Sequence, residues 1–515
     1  MTSSLVDIHG KPLSRRQYAA AKVSRLTGDW MPVGQSINQL LRTSAPAVTR
    51  RVRQLVRDFP YFTRAANIMV DFTVGTGHNF QSRVLNPDWQ PGAKGVAKFD
   101  RVTCQKIEDA VSWGMEELDA AGRMHGADLE RLAKLEEVEA GEFLFVKTLI
   151  KDPTRYIHYA LQPIEAEWLT DYNAVPTGNN KIERGIEYDP LTGRAIAYHL
   201  ADPDNALQPR RIEAKHILHG FDTRRSGQMR GISPFVAAVL IAHDLDDYIG
   251  ATIDTAKAAA RYLALIHTDN PSGFQASRTI EGTGADTGKK IDELENAIIE
   301  YLRPGEQVTF AKNDNPGSTF DPFTKFILRT VAIATGVPFS ALTNNHADYN
   351  YTSLRGERQD TIKIFEPHQM RHVRQFKAPV VRDIITHAVI KGRLDLPGYF
   401  HDPRRYWRGV HIPPGMEPID PLRESKANRD DISAGLRSPQ EICAKRGRDI
   451  EEVLDELAEF QEMVAERGIV LDIGSTALAN NPAANGADGR SLASLVGRAV
   501  EDAMDRAAML KETEE

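Results

Sequence analysis

The sequence predicts an α+β protein laid out as helical and strand-rich blocks in succession. Three observations predict it. Val48, Val52, Leu55, Val56 and Phe59 recur at helical spacing within residues 46–72. Residues 141–220 are rich in β-favouring side chains and turn signals. From Phe235 to about Leu265 the chain is rich in alanine and free of proline, which reads as one long helix.

Taken in order, residues 1–45 are polar and basic, with Lys11, Arg15, Arg16, Lys22 and Arg25, and read as a partly ordered arm. The helix over 46–72 is ended or kinked by Pro60. Phe143, Phe145 and Ile150 open the strand-rich block, and Asp189 to Gly193 is the turn of a hairpin between IERGIEY and RAIAYHL. Ser233 suits the N-cap and Pro234 the first turn of the long helix, whose ~30 residues would reach roughly 45 Å. Residues 267–288 read as a loop, 290–302 as a short helix and Gln307–Phe310 as a strand. Asp321 and Pro322 open a helix with Phe323, Phe326, Ile327, Val331 and Ala334 along one face, stopped by Gly336 and Pro338. Residues 340–352 lack apolar periodicity and read as a polar loop, with helix resuming near Ser353 and running to about 392. Near the C-terminus Ser438, Pro439 and Glu441 start one helix that Gly447 closes. Asp449 and Glu452 start a second, striped by Ile450, Val453, Leu454, Leu457, Phe460 and Val464 and running to Gly468. Residues 474–489 are a small, polar linker, and the last 25 residues read as one further helix.

Composition narrows the function. The chain has 515 residues, 41% apolar and 26% charged, which is ordinary for folded soluble domains. Its net charge of −7 argues against a general coat for nucleic acid. Two distant cysteines, Cys104 and Cys443, make no disulfide framework and fit a reducing cytosol. The start of the chain lacks a signal-peptide pattern, and no apolar run is long enough to span a membrane.

Chemistry-bearing motifs are sparse. Gly282 to Lys290 resembles a phosphate loop, but its spacing is wrong and Lys290 stands where Ser or Thr should hold magnesium. Val74 to Gly77 is a glycine turn. His216 and His219 fall in a strand-like stretch that would place them on opposite faces, with no carboxylate or cysteine set to complete a metal site. Asp244, Asp246 and Asp247 read as a solvated helix face. Basic clusters at Arg50–Arg57, Arg371–Lys377 and Arg404–Arg408 suit ion pairs with carboxylates of a neighbouring subunit better than a DNA-binding face. No nucleophile elbow or paired-histidine zinc motif is present, so no cofactor and no catalysis are expected.

Several long motifs, in order, resemble the lambda-type portal family of tailed bacteriophages over residues 45–470. RRVRQLVRDFPYFTRAANIMVDFTVGTG is similar to its N-terminal helix and glycine turn. HGFDTRRSGQMRGISPF, above all Arg224 to Gly231, is similar to its most characteristic stretch. LRPGEQVTF, the helix ending in ATGVP, and YNYTSLRGERQ follow in the family's order; here Tyr351–Thr352–Ser353 departs from the more usual Tyr–Ser–Ser. WRGVHIPPGMEPIDPLRESKA and GLRSPQEICAKRGRDIEEV resemble its C-terminal signature.

The resemblance implies a portal-type ring subunit with wing, long-helix stem, α/β clip and helical crown. The expected divisions are an arm 1–45, a wing 46–232, a stem helix 233–265, a clip 266–318, a second stem helix 319–336, a tunnel loop 337–353, a helix and wing return 354–420, a crown 421–470 and a tail 471–515. It implies about twelve copies in a ring, double-stranded DNA in the channel, and a packaging motor, the terminase large subunit, docked at the clip. It further implies contacts with major capsid, scaffold and head–tail connector proteins, no membrane, assembly in the host cytoplasm and residence at one capsid vertex. On that reading Asn344, Asn345, His346, Asp348, Tyr349 and Asn350 touch passing DNA; His346 is the loop's one group that ordinarily titrates near neutrality. The acidic residues Asp292, Glu293, Glu295 and Glu300 would dock the motor. A nucleic-acid-processing enzyme, marked by a carboxylate–metal site, and a basic DNA-coating protein, marked by steep salt dependence, are the other two classes considered.

Overall fold

A computed structural model describes residues 34–90, 98–201, 209–261, 265–268, 306–309, 317–347, 349–415, 421–446, 448 and 450–466. Its first helix, α1 (Ile37–Asp58), starts nine residues before the apolar periodicity at 46, inside the stretch read as an arm. A capping box explains the start: Ser36 accepts from Gln39 N while Gln39 returns to the Ser36 backbone. Pro46 lies within the helix and does not end it. Phe59 is extended, and Pro60 begins α2 (Pro60–Thr73) at the position where a missing N–H costs nothing. Gly75 and Gly77, both at positive φ, then turn the chain into β1 (Asn79–Ser82).

Helices α3 (Arg101–Glu116) and α4 (Gly126–Glu139) precede two antiparallel sheets. The first orders β3 (Tyr159–Ile164), β2 (Glu142–Leu149) and β8 (Ile217–Phe221) side by side. The second runs β4 (Lys181–Glu183), β5 (Ile186–Tyr188), β6 (Ala195–Leu200) and β7 (Arg210–Glu213). The hairpin between β5 and β6 turns where the sequence predicts: Asp189 Oδ1 accepts from Leu191 N and Asp189 Oδ2 from Thr192 Oγ1. A second, tighter hairpin inside IERGIEY turns on Arg184 and Gly185, both at positive φ.

Ser233 caps a short 3₁₀ turn (Pro234–Ala237), and α5 (Val239–Arg261) follows. The expected single helix from 233 to 265 is therefore shorter. Its 23 residues measure about 35 Å. Leu265 already belongs to β9 (Leu265–Thr268), paired antiparallel with β10 (Glu306–Thr309), the strand expected at 307–310. The helix expected at 290–302 and the phosphate-loop-like stretch 282–290 lie outside the described residues.

Helix α6 (Phe320–Thr335) ends at Gly336, which takes φ 73° as the left-handed cap that the sequence predicts. A five-residue helix, α7 (Phe339–Thr343), stands where a loop is expected. Helix α8 (Tyr351–His372), a π-helical stretch (Val373–Lys377) and α9 (Ala378–Ile390) follow end to end. β11 (Gly409–Ile412) pairs with β1, Asn79 opposite Ile412. Helices α10 (Pro421–Ser433), α11 (Pro439–Lys445) and α12 (Ile450–Glu466) complete the described chain; Ser438 accepts from Glu441 N, while Gly447, Asp449 and Gly468 lie outside it.

Three apolar cores result. One joins α3, α4 and α9 to the inner faces of β2 and β3, with Phe143, Phe145, Tyr159, Phe376 and Ile384 fully buried. A second joins α1 and α2 to the near ends of α5, α6 and α8 through Val52, Phe62, Phe235, Leu245, Val331 and Phe365. A third lies between the two sheets. Cys104 is buried and Cys443 partly exposed, neither in a disulfide. No helix among the described residues is long and apolar enough to cross a membrane.

Candidate nucleic-acid interface

Helices α5 and α6 leave the second core as a pair. Near the core, Leu245 of α5 and Leu328, Val331 and Ala332 of α6 are buried. Farther out the two helices hold each other through aromatic contacts: Tyr248 stacks on Phe320 at 5.8 Å and meets Phe323 edge-on at 5.1 Å. The apolar stripe predicted for α6 divides. Val331 is buried and Ile327 and Ala334 pack at the core's edge. Phe326 is 65% exposed, and with Ile333 (82%) and Leu240 (66%) it leaves a substantial apolar surface uncovered in one chain. The sequence grouped residues of two faces because both are apolar. Asp244, Asp246 and Asp247 are exposed, as expected of a solvated face, with His243 3.7 Å from Asp247. Among the described residues no set of three potential ligands is placed to hold a metal.

The segment after α6 is more structured than a polar loop. Leu342 of α7 is buried, and Arg64 donates to Ala341 O at 3.2 Å. Glu357, nearly two turns into α8, organises the base: its carboxylate accepts from Ser340 Oγ at 2.6 Å and from Tyr349 OH at 3.3 Å. Asn350 is the N-cap of α8 in a capping box with Ser353, so the helix restarts at Tyr351, two residues early. Asn345 accepts from Ala347 N at 2.9 Å. Asn344 takes φ 54° and ends α7. Asn344 and His346 are exposed at the tip, and Asp348 lies outside the described residues. Of the six residues singled out, Tyr349 and Asn350 thus also hold the loop in shape. Glu357 was missed, although the Asn–x–x–Ser start of α8 was readable. The acidic residues Asp292, Glu293, Glu295 and Glu300 lie outside the described residues.

The basic clusters find partners within the same chain. Arg53 lies within 4 Å of four carboxylates: Glu136 at 2.8 Å, Glu167 at 3.2 Å, Glu165 at 3.3 Å and Glu139 at 3.7 Å. Burial pushes Glu136 up to about 7, Arg53 only partly opposing it. Arg371 joins Glu137 at 3.0 Å and Asp222 at 2.9 Å. Lys377 meets Glu130 at 3.3 Å, and Glu130 also meets His78. Burial alone would raise the Glu130 carboxyl; Lys377 and His78 overcome it and hold the group well below the usual range. The same contest, with Lys134 and Arg371, takes Glu137 down to about 2. Burial lowers His372 to about 4. The pairs that join α4 to α1 or to the α8–α9 rod have partners 83 to 247 positions apart, beyond local pattern. In the third cluster Arg405 lies over the Tyr406 ring at 5.5 Å, and Arg408 contributes its backbone carbonyl to Arg83 N.

The segment Arg224–Gly231 is a clasp around Glu142. Arg230 Nε donates to Glu142 Oε1 at 2.7 Å, while Gly231 N and His219 Nε2 lie 3.0 Å from Oε2. A Cβ on Gly231 would stand 2.0 Å from Gly141 O, so only glycine fits. Gln228 accepts from the backbone of Arg224 and donates to the carbonyl of Arg230, closing the turn. His216 sits in a 3₁₀ turn (Ala214–His216), apart from the partly buried His219 in β8, whose ring meets Glu142.

A model of the phage portal protein, lambda family, matches residues 23–369, about two thirds of the chain. The chain belongs to that family. It is 26% identical over 495 residues to a probable portal protein of Halomonas phage phiHAP-1, covering 91% of each chain. It is 20% identical over 458 residues to portal protein B of Escherichia phage lambda, covering 82% of this chain and 85% of the relative. A chain from the neck of an empty GTA particle computed with C6 symmetry is 13% identical, with a TM-score of 0.45 over 79% of this chain and 94% of that one.

Proposed function

We propose that about twelve copies of this portal chain close into a ring through which double-stranded DNA passes during packaging and ejection. The observation that carries the reading is the exposed apolar face of α5 and α6, with Leu240, Phe326 and Ile333 uncovered. A heterologous contact, α5 of one copy against α6 of the next, would cover it and repeat around a closed ring. On this reading residues 46–232 with 354–420 are the wing, 233–265 and 319–336 the stem, 266–318 the clip and 421–470 the crown, with 1–45 an arm and 471–515 a tail. The segment 337–353 faces the bore.

The mechanism is physical. A strongly basic bore would hold phosphates and stall the duplex. This chain is acidic, and twelve copies at −7 carry 12 × (−7) = −84. The exposed Asn344 and His346 offer polar contacts without a fixed charge, weak enough to permit sliding. Force comes from a separate motor, the terminase large subunit, docked at Asp292, Glu293, Glu295 and Glu300 of the clip. Capsid and scaffold proteins meet the wing side, head–tail connector proteins take the clip side, and the ring assembles in the host cytoplasm before residing in the virion. No catalytic step is assigned to the chain. Removing residues 343–350 should leave rings that assemble but package full-length DNA poorly or leak it. Unchanged packaging and retention would reduce the loop to a connector, and reversing the four clip charges without effect on motor binding would refute the docking site.

A further inference from the structure

The chain exposes two surfaces of opposite charge, each with large apolar side chains uncovered. The first lies at the end of α9. Residues 391–408 hold five basic side chains and two acidic ones, a balance of +3 in a chain of −7. Arg393, Arg404 and Arg408 are exposed and have no ion-pair partner among the described residues. Arg393 lies over the Tyr156 ring, which stacks on the exposed Trp113. Ile390 and Phe400 are exposed, and Phe400 lines a cavity of about 460 Å³ with Leu394, Leu396 and Tyr399. A partner must therefore bring apolar side chains flanked by negative charge.

The second surface is the connection after β3. Residues 165–175 hold three acidic side chains and no basic one. Through the 3₁₀ turn Ala166–Trp168, positions three apart share a face. Ala166 and Leu169 take the buried face, so Glu165 and Trp168 share an exposed one. Tyr172 and Val175 are exposed beyond them. Glu165 and Glu167 reach Arg53, but that guanidinium is also shared by Glu136 and Glu139, four carboxylates to one cation.

Position decides what the two surfaces can do. β2 sends Phe143 and Phe145 into the core that holds α9, Leu394 and Tyr399, and Leu144 and Val146 into the core that holds Leu169. Side chains alternate across a strand, so the two surfaces lie on opposite faces of the three-stranded sheet and are held apart within one copy. Unlike surfaces on opposite flanks make a heterologous contact, the kind that repeats from copy to copy and closes a ring. A second copy supplies both the charge and the apolar side chains that each surface lacks.

We infer that residues 165–175 of one copy dock on the basic, apolar surface at the end of α9 of the next. Trp168 and Tyr172 seat against Ile390 and Phe400, and Glu165 and Glu167 meet Arg393 and Arg404. The contact rests on the ring reading and adds a second, salt-sensitive interface to the one between α5 and α6.

Cross-linking on the full-length protein tests it. Cys104 is buried, so Cys443→Ser gives a background without an accessible thiol. In that background, Glu167→Cys combined with Arg393→Cys should give, with a short bismaleimide, a ladder of covalent species at multiples of 57.3 kDa, and neither single cysteine should. Glu165→Lys with Glu167→Lys should make subunits leave the assembly about tenfold faster on dilution, and so should Arg393→Glu with Arg404→Glu. All four changes together should return the rate to near that of the unaltered chain. The native mass, followed in parallel, separates this contact from the ring. An assembly of the expected mass that gives no ladder and ignores both charge reversals overturns the contact and leaves the ring reading standing. A chain that stays a monomer overturns both. A ladder equally strong after Phe326→Asp with Ile333→Asp has removed the assembly marks random collision and overturns the contact. A ladder confined to the assembly, with the rate restored by the combined change, supports it.

Discussion

The α4 region and the α5–α6 pair, proposed above as wing and stem, are built on opposite terms. In the proposed wing, α4 buries Glu130, Lys134 and Glu137 and pairs them within the chain, Glu130 with Lys377 and His78, Glu137 with Lys134 and Arg371. In the stem, apolar rather than charged side chains are left over: Leu240, Phe326 and Ile333 face solvent. The α4 region pairs most of its buried charges within one chain, whereas the α5–α6 pair leaves apolar surface that a neighbouring copy would cover on the ring reading. That difference teaches where a single chain ends as a folding unit and where assembly begins.

The comparison breaks first, and with the largest expected effect, at the clasp. Arg230→Ala leaves Glu142 buried without its guanidinium, and should cost about 3–5 kcal/mol in urea unfolding of the full chain. A loss below about 1 kcal/mol would mean that the pair is not the closed contact described.

Acid should undo the wing before the stem. His368, His372 and His411 are each lowered by burial to about 4, from an ordinary value near 6.5. The unfolded chain therefore takes up protons first. Stability is fully present above 6.5 and is lost as pH falls through that window toward 4. Glu137, lowered to about 2, adds a further loss below its ordinary 4.5. Near-ultraviolet dichroism of the wing tyrosines between pH 7 and 4 should report this, and a flat profile would contradict the neutral buried histidines. Glu136 acts in the opposite sense. Its raised value means stability is present below 4.5 and lost as pH rises through about 7, so Glu136→Gln should raise the melting temperature at pH 8.

The stem should show the reverse signature. Phe326→Asp with Ile333→Asp alters exposed positions and should shift the stability of one subunit by less than about 0.5 kcal/mol, while abolishing the large assembly on a sizing column. Unchanged assembly would remove the stem from the interface. The smallest effect is expected at the loop base, where Asn350→Ala should cost roughly 1 kcal/mol through the lost cap of α8.

What was legible in the sequence follows the same division. Features set by neighbours in sequence were readable: the Asp189 turn, the Gly336 cap, the Ser438 cap and the Pro60 break. The start of α1 was equally local, in Ser36 and Gln39, but the apolar periodicity that places the helix begins only near 46. The continuous helix from 233 was over-read because Pro234 suits a 3₁₀ turn as well as an α-helical one. The charges of Arg371–Lys377, expected to pair with a neighbouring subunit, are paired inside one chain by long-range folding that local pattern does not reveal. In the candidate site, the exposed tip at Asn344 and His346 was readable from polarity. The roles of Tyr349 and Asn350 depend on Glu357 and Ser353, and required the start of α8 to be placed.

The central claim, that the uncovered stem closes between copies into a ring, is tested most directly by the native mass of the purified full-length chain. One subunit weighs 57.3 kDa. The account predicts a single closed species at a whole multiple of that mass, roughly 690 kDa for about twelve copies, ring-shaped in end-on micrographs. A monodisperse 57.3 kDa monomer at micromolar concentration across several salt conditions would contradict it.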